Sequence, residues 1–312
     1  MTANTDVLVL AEQPAIVLSP ADEHWVVEPP RGAWKAKVQR FAHALRDPAV
    51  YIPGSVLLFI ILACFFGPLV FSAPSPNTGN LSQPDLPLFS PGHLLGTNGF
   101  GNDTLSRVLH GGQVSLAVGI GATAIGLVIG SILGMSAGYF GGLIEATIMR
   151  ILDTLLSFPS LILALAIADF LGPNEFHTIL AVSFYGIVVY ARLARSQTIR
   201  VRHRDFVVAA RSSGVRPKKI IFGHILPNVM PPLLAYAMIT VGVAMLVEAA
   251  LSYLGLGIRP PQPSWGNMIF AGVASMTSDP ALVLIPCLFL LVTVMSLNLT
   301  ADALRRRLAF DR

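Results

Sequence analysis

An all-α integral membrane protein with six transmembrane helices is the fold class this sequence predicts, on three observations. The 312 residues are 54% hydrophobic and only 12% charged, about half the charge of an average soluble domain. Mean hydropathy is strongly positive, at +0.67. Charge-free intervals recur at lengths that cross roughly 30 Å of hydrocarbon, about 20 residues at about 1.5 Å rise each.

The first thirty residues are acidic and proline-punctuated, and predict a poorly ordered tail. No basic run followed by an apolar stretch opens the chain, so a signal peptide is not expected. Residues 32–47 have a helical period. Trp34, Val38, Phe41, Ala42 and Leu45 share one face and basic residues hold the rest, as in a helix lying in the headgroup plane.

The predicted spans are 53–72, 114–137, 149–171, 178–196, 230–254 and 281–299. Residues 73–112, rich in Pro, Gly, Asn and Ser, form a loop between the first two, and Gly99-Phe100-Gly101 reads as its flexible part. The second span carries Ala122, Gly126, Gly130, Gly134 and Gly138 at four-residue spacing. Small residues so placed line one side of a helix and let a second backbone approach, within the subunit or from a partner. The third span has Pro159 inside it, and the fifth ends near Leu254-Gly255-Leu256-Gly257. Cys64 and Cys287 lie within apolar spans and are expected as small buried residues.

An even number of spans puts both termini on one side. Nineteen of the 21 Lys and Arg residues fall on that side, leaving Arg107 and Arg259 for the other. The positive-inside rule then places both termini and the 195–228 loop in the cytoplasm, with a basic tail over 303–312. The same distribution accounts for the high pI without nucleic acid.

The chain has no glycine-rich phosphate loop, no paired-histidine metal spacing and no Gly-x-Ser-x-Gly element, so catalysis, a bound metal and a resident cofactor are not expected. Glu248 within the fifth span and Asp169 near the end of the third are candidates for a polar translocation path. Hydrogen bonding to a neighbouring helix is the other reading of Glu248, and a solvated interfacial acid that of Asp169. Glu145 and Asp153 are expected to pair with Arg150.

The 195–228 loop holds a short capped helix. Asp205 is positioned to cap it, Gly214 to end it in a left-handed conformation, and Pro217 to start the next. Phe206, Val207, Val208, Ala209 and Ala210 give it an apolar surface suited to docking in a groove of a cytoplasmic partner. An interfacial loop on anionic lipid is the alternative.

This loop resembles the EAA loop of importer-type ATP-binding-cassette (ABC) transporter permeases. Ala209-Ala210, Gly214 and Leu226-Pro227 stand at the family spacing, with Arg211 following the alanines and Val208 where a glutamate is usual. Val208 removes a possible capping-box partner of Asp205. His93-Leu94-Leu95-Gly96-Thr97, Gly138-Tyr139-Phe140-Gly141-Gly142, Phe158-Pro159-Ser160, His224-Ile225-Leu226-Pro227-Asn228, Glu248-Ala249-Ala250-Leu251-Ser252 and Pro261-Gln262-Pro263-Ser264-Trp265-Gly266 follow in order. Together they are similar to the C-type permeases of dipeptide and oligopeptide importers.

The resemblance implies a type I ABC importer transmembrane fold, with the permease domain over 113–302. It also implies a heterodimer with a second, homologous permease. Two cytoplasmic ATPases, carrying ATP and Mg, would grip the EAA loops, and an extracytoplasmic binding protein would deliver peptide, or nickel or glutathione. A stand-alone secondary transporter using Glu248 and Asp169 for protons, and a membrane scaffold, are the competing classes.

Overall fold

The computed structural model describes residues 47–70 and 75–309, with side chains to residue 306. The expected tail over 1–30, nearly all of the expected interfacial helix and the last residues of the basic tail lie outside these. Nine helices are formed among the described residues. They are α1 (Pro48–Val70), α2 (Thr104–Phe140), α3 (Gly142–Leu156), α4 (Ser160–Leu171), α5 (Glu175–Val201), α6 (Asp205–Ser212), α7 (Pro217–Tyr253, with a π turn at Ile221–Ile225), α8 (Trp265–Val273) and α9 (Ala281–Ala309). No strand forms among them, only two isolated bridges.

Helices α1, α2, α5, α7 and α9 are each long and apolar enough to cross a membrane. The sixth expected span is not one helix. Residues 149–171 belong to α3 and α4, which meet at 86°. Pro159 has no amide hydrogen and disfavours helical backbone at Phe158, so the hydrogen-bond ladder of α3 closes at Ser157, whose amide donates to Asp153 O at 3.1 Å. Six spans result when the bent pair counts as one.

Helix α2 starts ten residues before the expected span. Asp103 caps it by accepting from Ser106 N at 2.7 Å, and Arg107 in its first turn donates to Pro76 O at 2.9 Å. A charge-free criterion stops at Arg107, whereas the folded loop supplies that arginine with a partner. The loop is also more regular than expected around Gly99-Phe100-Gly101. Asn98 Oδ1 accepts from the amides of Phe100 and Asn102, both at 3.0 Å. Gly101, at φ +69°, lies where a Cβ would come within 2.0 Å of Asn80 O.

The small-residue face of α2 meets α5 of the same chain. A Cβ on Gly126 would come within 2.9 Å of Gly186 Cα, one on Gly130 within 2.5 Å of Ile187 O, and one on Gly134 within 2.2 Å of Ala191 O. Gly138 would contact Thr198 Cβ at 2.8 Å, and Ala122 is buried in the same seam. Without side chains on α2, dispersion contacts are made backbone to backbone, which drives helix association where no hydrophobic effect operates.

Helix α3 is fixed to α5 by ion pairs other than the expected ones. Glu145 pairs with Arg195, and Asp153 with Arg192 at 2.6 Å. Arg150, the expected partner of both, is exposed and makes neither pair. Helix α9 continues ten residues past its expected end, through Arg305 and Arg306.

Candidate functional site

Two groups of residues carry the chemistry: the segment from Arg202 to Pro227 and the surroundings of Glu248.

In the first, α6 begins one residue earlier than its sequence suggests. Arg204 is the N-cap, with extended backbone, and its carbonyl accepts from Val207 N at 2.9 Å and Val208 N at 3.1 Å. Asp205 is therefore the first helical residue and makes no side-chain capping bond. Its charge still complements the partial positive charge of the helix start. The shift moves position 208 to the fourth helical residue, past the site from which a capping-box side chain reaches back. Val208 is half exposed, and a carboxylate there would face outward.

The end of α6 is a Schellman motif. Gly214 has φ +74°, its amide donates to Arg211 O at 3.1 Å, and Val215 N donates to Ala210 O at 3.1 Å. Only glycine adopts this left-handed conformation without a Cβ penalty. Pro217 then starts α7, whose first turn has no use for the missing donor.

Leu226-Pro227 does not separate a loop helix from a span. Proline at 227 would collide with the carbonyl one turn back and cannot donate to it. The π turn at Ile221–Ile225 absorbs this extra ring, and the helix continues to Tyr253. Segment and span are thus one rod of 37 residues.

Side chains on α6 divide by face. Val207 is 1% exposed and joins a core containing Met135, Tyr190, Ile220, Ile221 and Ile225, with Ala210 packed against it. Phe206, Val208, Ala209 and Arg211 are exposed, as are Gly214, Pro227 and, on the π turn, Phe222; Leu226 is half-buried. Val207 is the root of α6 and was not separable from its apolar neighbours in the sequence. The three-residue spacing of Val207 and Ala210 is the signal for it. Arg202, donating to Gly138 O at 2.8 Å, ties the segment to the last glycine of the α2 ladder.

The second group is closed. Glu248 is fully buried. Its Oε2 accepts from Ser115 Oγ at 2.8 Å and its Oε1 from Ser252 Oγ at 2.7 Å. A cleft of about 280 Å³ between α2, α5 and α7 is lined by Thr123, Tyr185, Thr240 and Val247. The two bonds to Ser115 and Ser252 are those of the hydrogen-bonding reading of Glu248. Asp169 is exposed in the last turn of α4 and has no part in the cluster. Among the described residues no group of His, Cys, Asp and Glu is arranged to hold a metal ion.

The chain is 36% identical over 288 residues to the dipeptide transport system permease protein DppC of Alkalihalophilus pseudofirmus, covering 92% of this chain and 91% of that one. It is 33% identical over 275 residues to the glutathione transport system permease protein GsiD of Pectobacterium atrosepticum, covering 88% and 90%. In fold it is similar to a chain of the MetNI methionine ABC transporter in an inward facing form, with TM-score 0.53 and 19% identity over 66% of this chain and 97% of that one. Residues 126–310, from the first glycine of the α2 ladder through α5, α6, α7 and α9, match one family along their length. The chain belongs to the family of binding-protein-dependent transport system inner membrane components.

Proposed function

We propose that this chain is the permease subunit of an ABC importer that passes short peptides across the cytoplasmic membrane. The observation that carries the reading is the construction of α6. Its root, Val207, is locked in the core, its outer face offers Phe206, Val208 and Ala209, and it feeds through a single turn into the rod of α7. A partner that grips the outer face moves a membrane-crossing helix directly. Energy enters only through contacts that differ between two states of that partner, here two ATPase subunits that bind and hydrolyse ATP, since this chain carries no phosphate loop.

The substrate class follows from the relatives, named for dipeptides and for glutathione, itself a tripeptide. The remaining parts are a second, homologous permease and an extracytoplasmic binding protein. With α6 on the cytoplasmic side, the excess of Arg and Lys around it obeys the positive-inside rule.

Proteoliposomes containing the two permeases and two ATPases, supplied with binding protein and labelled dipeptide, test this. Uptake should require ATP inside the ATPase-bearing compartment and be indifferent to a protonophore. Uptake without the ATPases, or its collapse with the protonophore, would replace this reading by the secondary-transporter one. Competition by unlabelled glutathione distinguishes the two substrates.

A further inference from the structure

Glu248 sits near the far end of the α7 rod that follows α6, and the groups bonded to it point to one task. The two hydroxyls that donate to its carboxylate each accept a backbone amide from beyond α7. Ser252 Oγ accepts from Ile258 N at 3.0 Å, and Ser115 Oγ, on α2, from Trp265 N at 3.3 Å. The donor direction therefore runs from backbone to serine to carboxylate on both branches. Asn267 of α8 closes the rest of the segment, donating to Ile258 O at 3.1 Å and Gln262 O at 2.8 Å and accepting from Ser264 N at 3.0 Å. Trp265 Nε1 donates to Val108 O on α2 at 2.9 Å. There is no slack: a Cβ on Gly257 would come within 2.5 Å of Ser252 Oγ, and one on Gly266 within 2.5 Å of Ala249 O.

A buried polar network is costly when half satisfied, and when every member has its partner it favours a single geometry. We infer that Glu248 is a positioning residue, clasping the end of α7, the segment from Leu254 to Ser264 and α8 onto α2 so that they move as one body when α6 is displaced. This rests on the importer reading above.

The complete complex in proteoliposomes provides the test, with spin labels at Arg259→Cys and Phe100→Cys in a Cys287→Ala background. With Glu248 intact the label distances should be narrowly distributed with and without ATP. Glu248→Leu orphans two buried hydroxyls. It should broaden the distribution and cut peptide imported per ATP by roughly tenfold or more, at equal assembled complex and basal hydrolysis. Ser115→Ala with Ser252→Ala should do the same, and Glu248→Gln, which keeps a hydrogen-bonding group, should recover most of the loss. Wild-type distances and stoichiometry in Glu248→Leu would overturn the inference. So would a loss that merely tracks the amount of assembled complex in both variants. Failure of the unmutated complex to import peptide with ATP would instead overturn the importer reading, because the distance measurement does not depend on it.

Discussion

Gly126 of α2 and Gly186 of α5 meet backbone to backbone: a Cβ on the first would come within 2.9 Å of the Cα of the second. The obstacle is main chain on both sides and cannot rotate away. Gly126→Ala should therefore destabilise the subunit by about 1–3 kcal/mol, the usual cost of overpacking, and Gly134→Leu should abolish recovery of folded protein. Gly54→Ala, where the nearest atom is Thr300 Cγ2 at 3.9 Å, should be silent. Thermal unfolding in detergent, followed by size exclusion, separates the three.

Val207 and Val208 are neighbours with opposite tasks. Val207 is 1% exposed and Val208 50%. Val207→Ala leaves a cavity under α6 and should cost about 1–3 kcal/mol, with weaker ATPase binding as a consequence. Val208→Ala should leave the unfolding midpoint unchanged and lower only the affinity for the ATPase subunits. Parallel measurements of unfolding and of subunit pull-down give the contrast, and equal behaviour of the two variants would contradict the face assignment.

Gly214 holds φ +74°, and a Cβ added there would meet nothing within 4 Å, so backbone strain decides what it tolerates. Gly214→Val should cost roughly 1–2 kcal/mol and loosen the Schellman turn. Gly214→Pro, which also loses the amide bonded to Arg211 O, should uncouple ATP hydrolysis from peptide uptake in membrane-inserted protein. Ala209→Asp, a charge on the exposed face, should uncouple without touching the fold. Normal uptake in either of the last two would remove α6 from the coupling route.

The Arg195–Glu145 pair is more enclosed than Arg192–Asp153, with side-chain exposures of 37% and 23% against 51% and 55%. Screening by water is weaker in the first. Glu145→Gln should thus lower the unfolding midpoint measurably, while Asp153→Asn, in a pair of the kind worth about 0–1 kcal/mol, should be close to neutral. Raising the salt concentration should remove what effect Asp153→Asn has before it reduces that of Glu145→Gln.

Composition and charge-free length determine by themselves that this chain lives in a bilayer, because hydrocarbon leaves only internally bonded helices as a solution. Four-residue spacing likewise marks the α2 face, since helical geometry turns spacing directly into direction. Gly214 and Pro217 announce the turn through their own backbone restrictions. What depends on partners distant in the chain is decided only by the tertiary structure. The choice of Arg192 and Arg195 over Arg150, and the partner that Pro76 O gives Arg107 at the start of α2, each need a neighbour that no local pattern names. Glu248 is the plainest case. In the sequence it is a carboxylate in a span, equally fit to line a path or to bond a helix. Only the arrival of Ser115 from 133 residues away, beside its own Ser252, makes it a closed junction. A buried carboxyl group takes its role from whatever surrounds it, and that is a property of the folded chain.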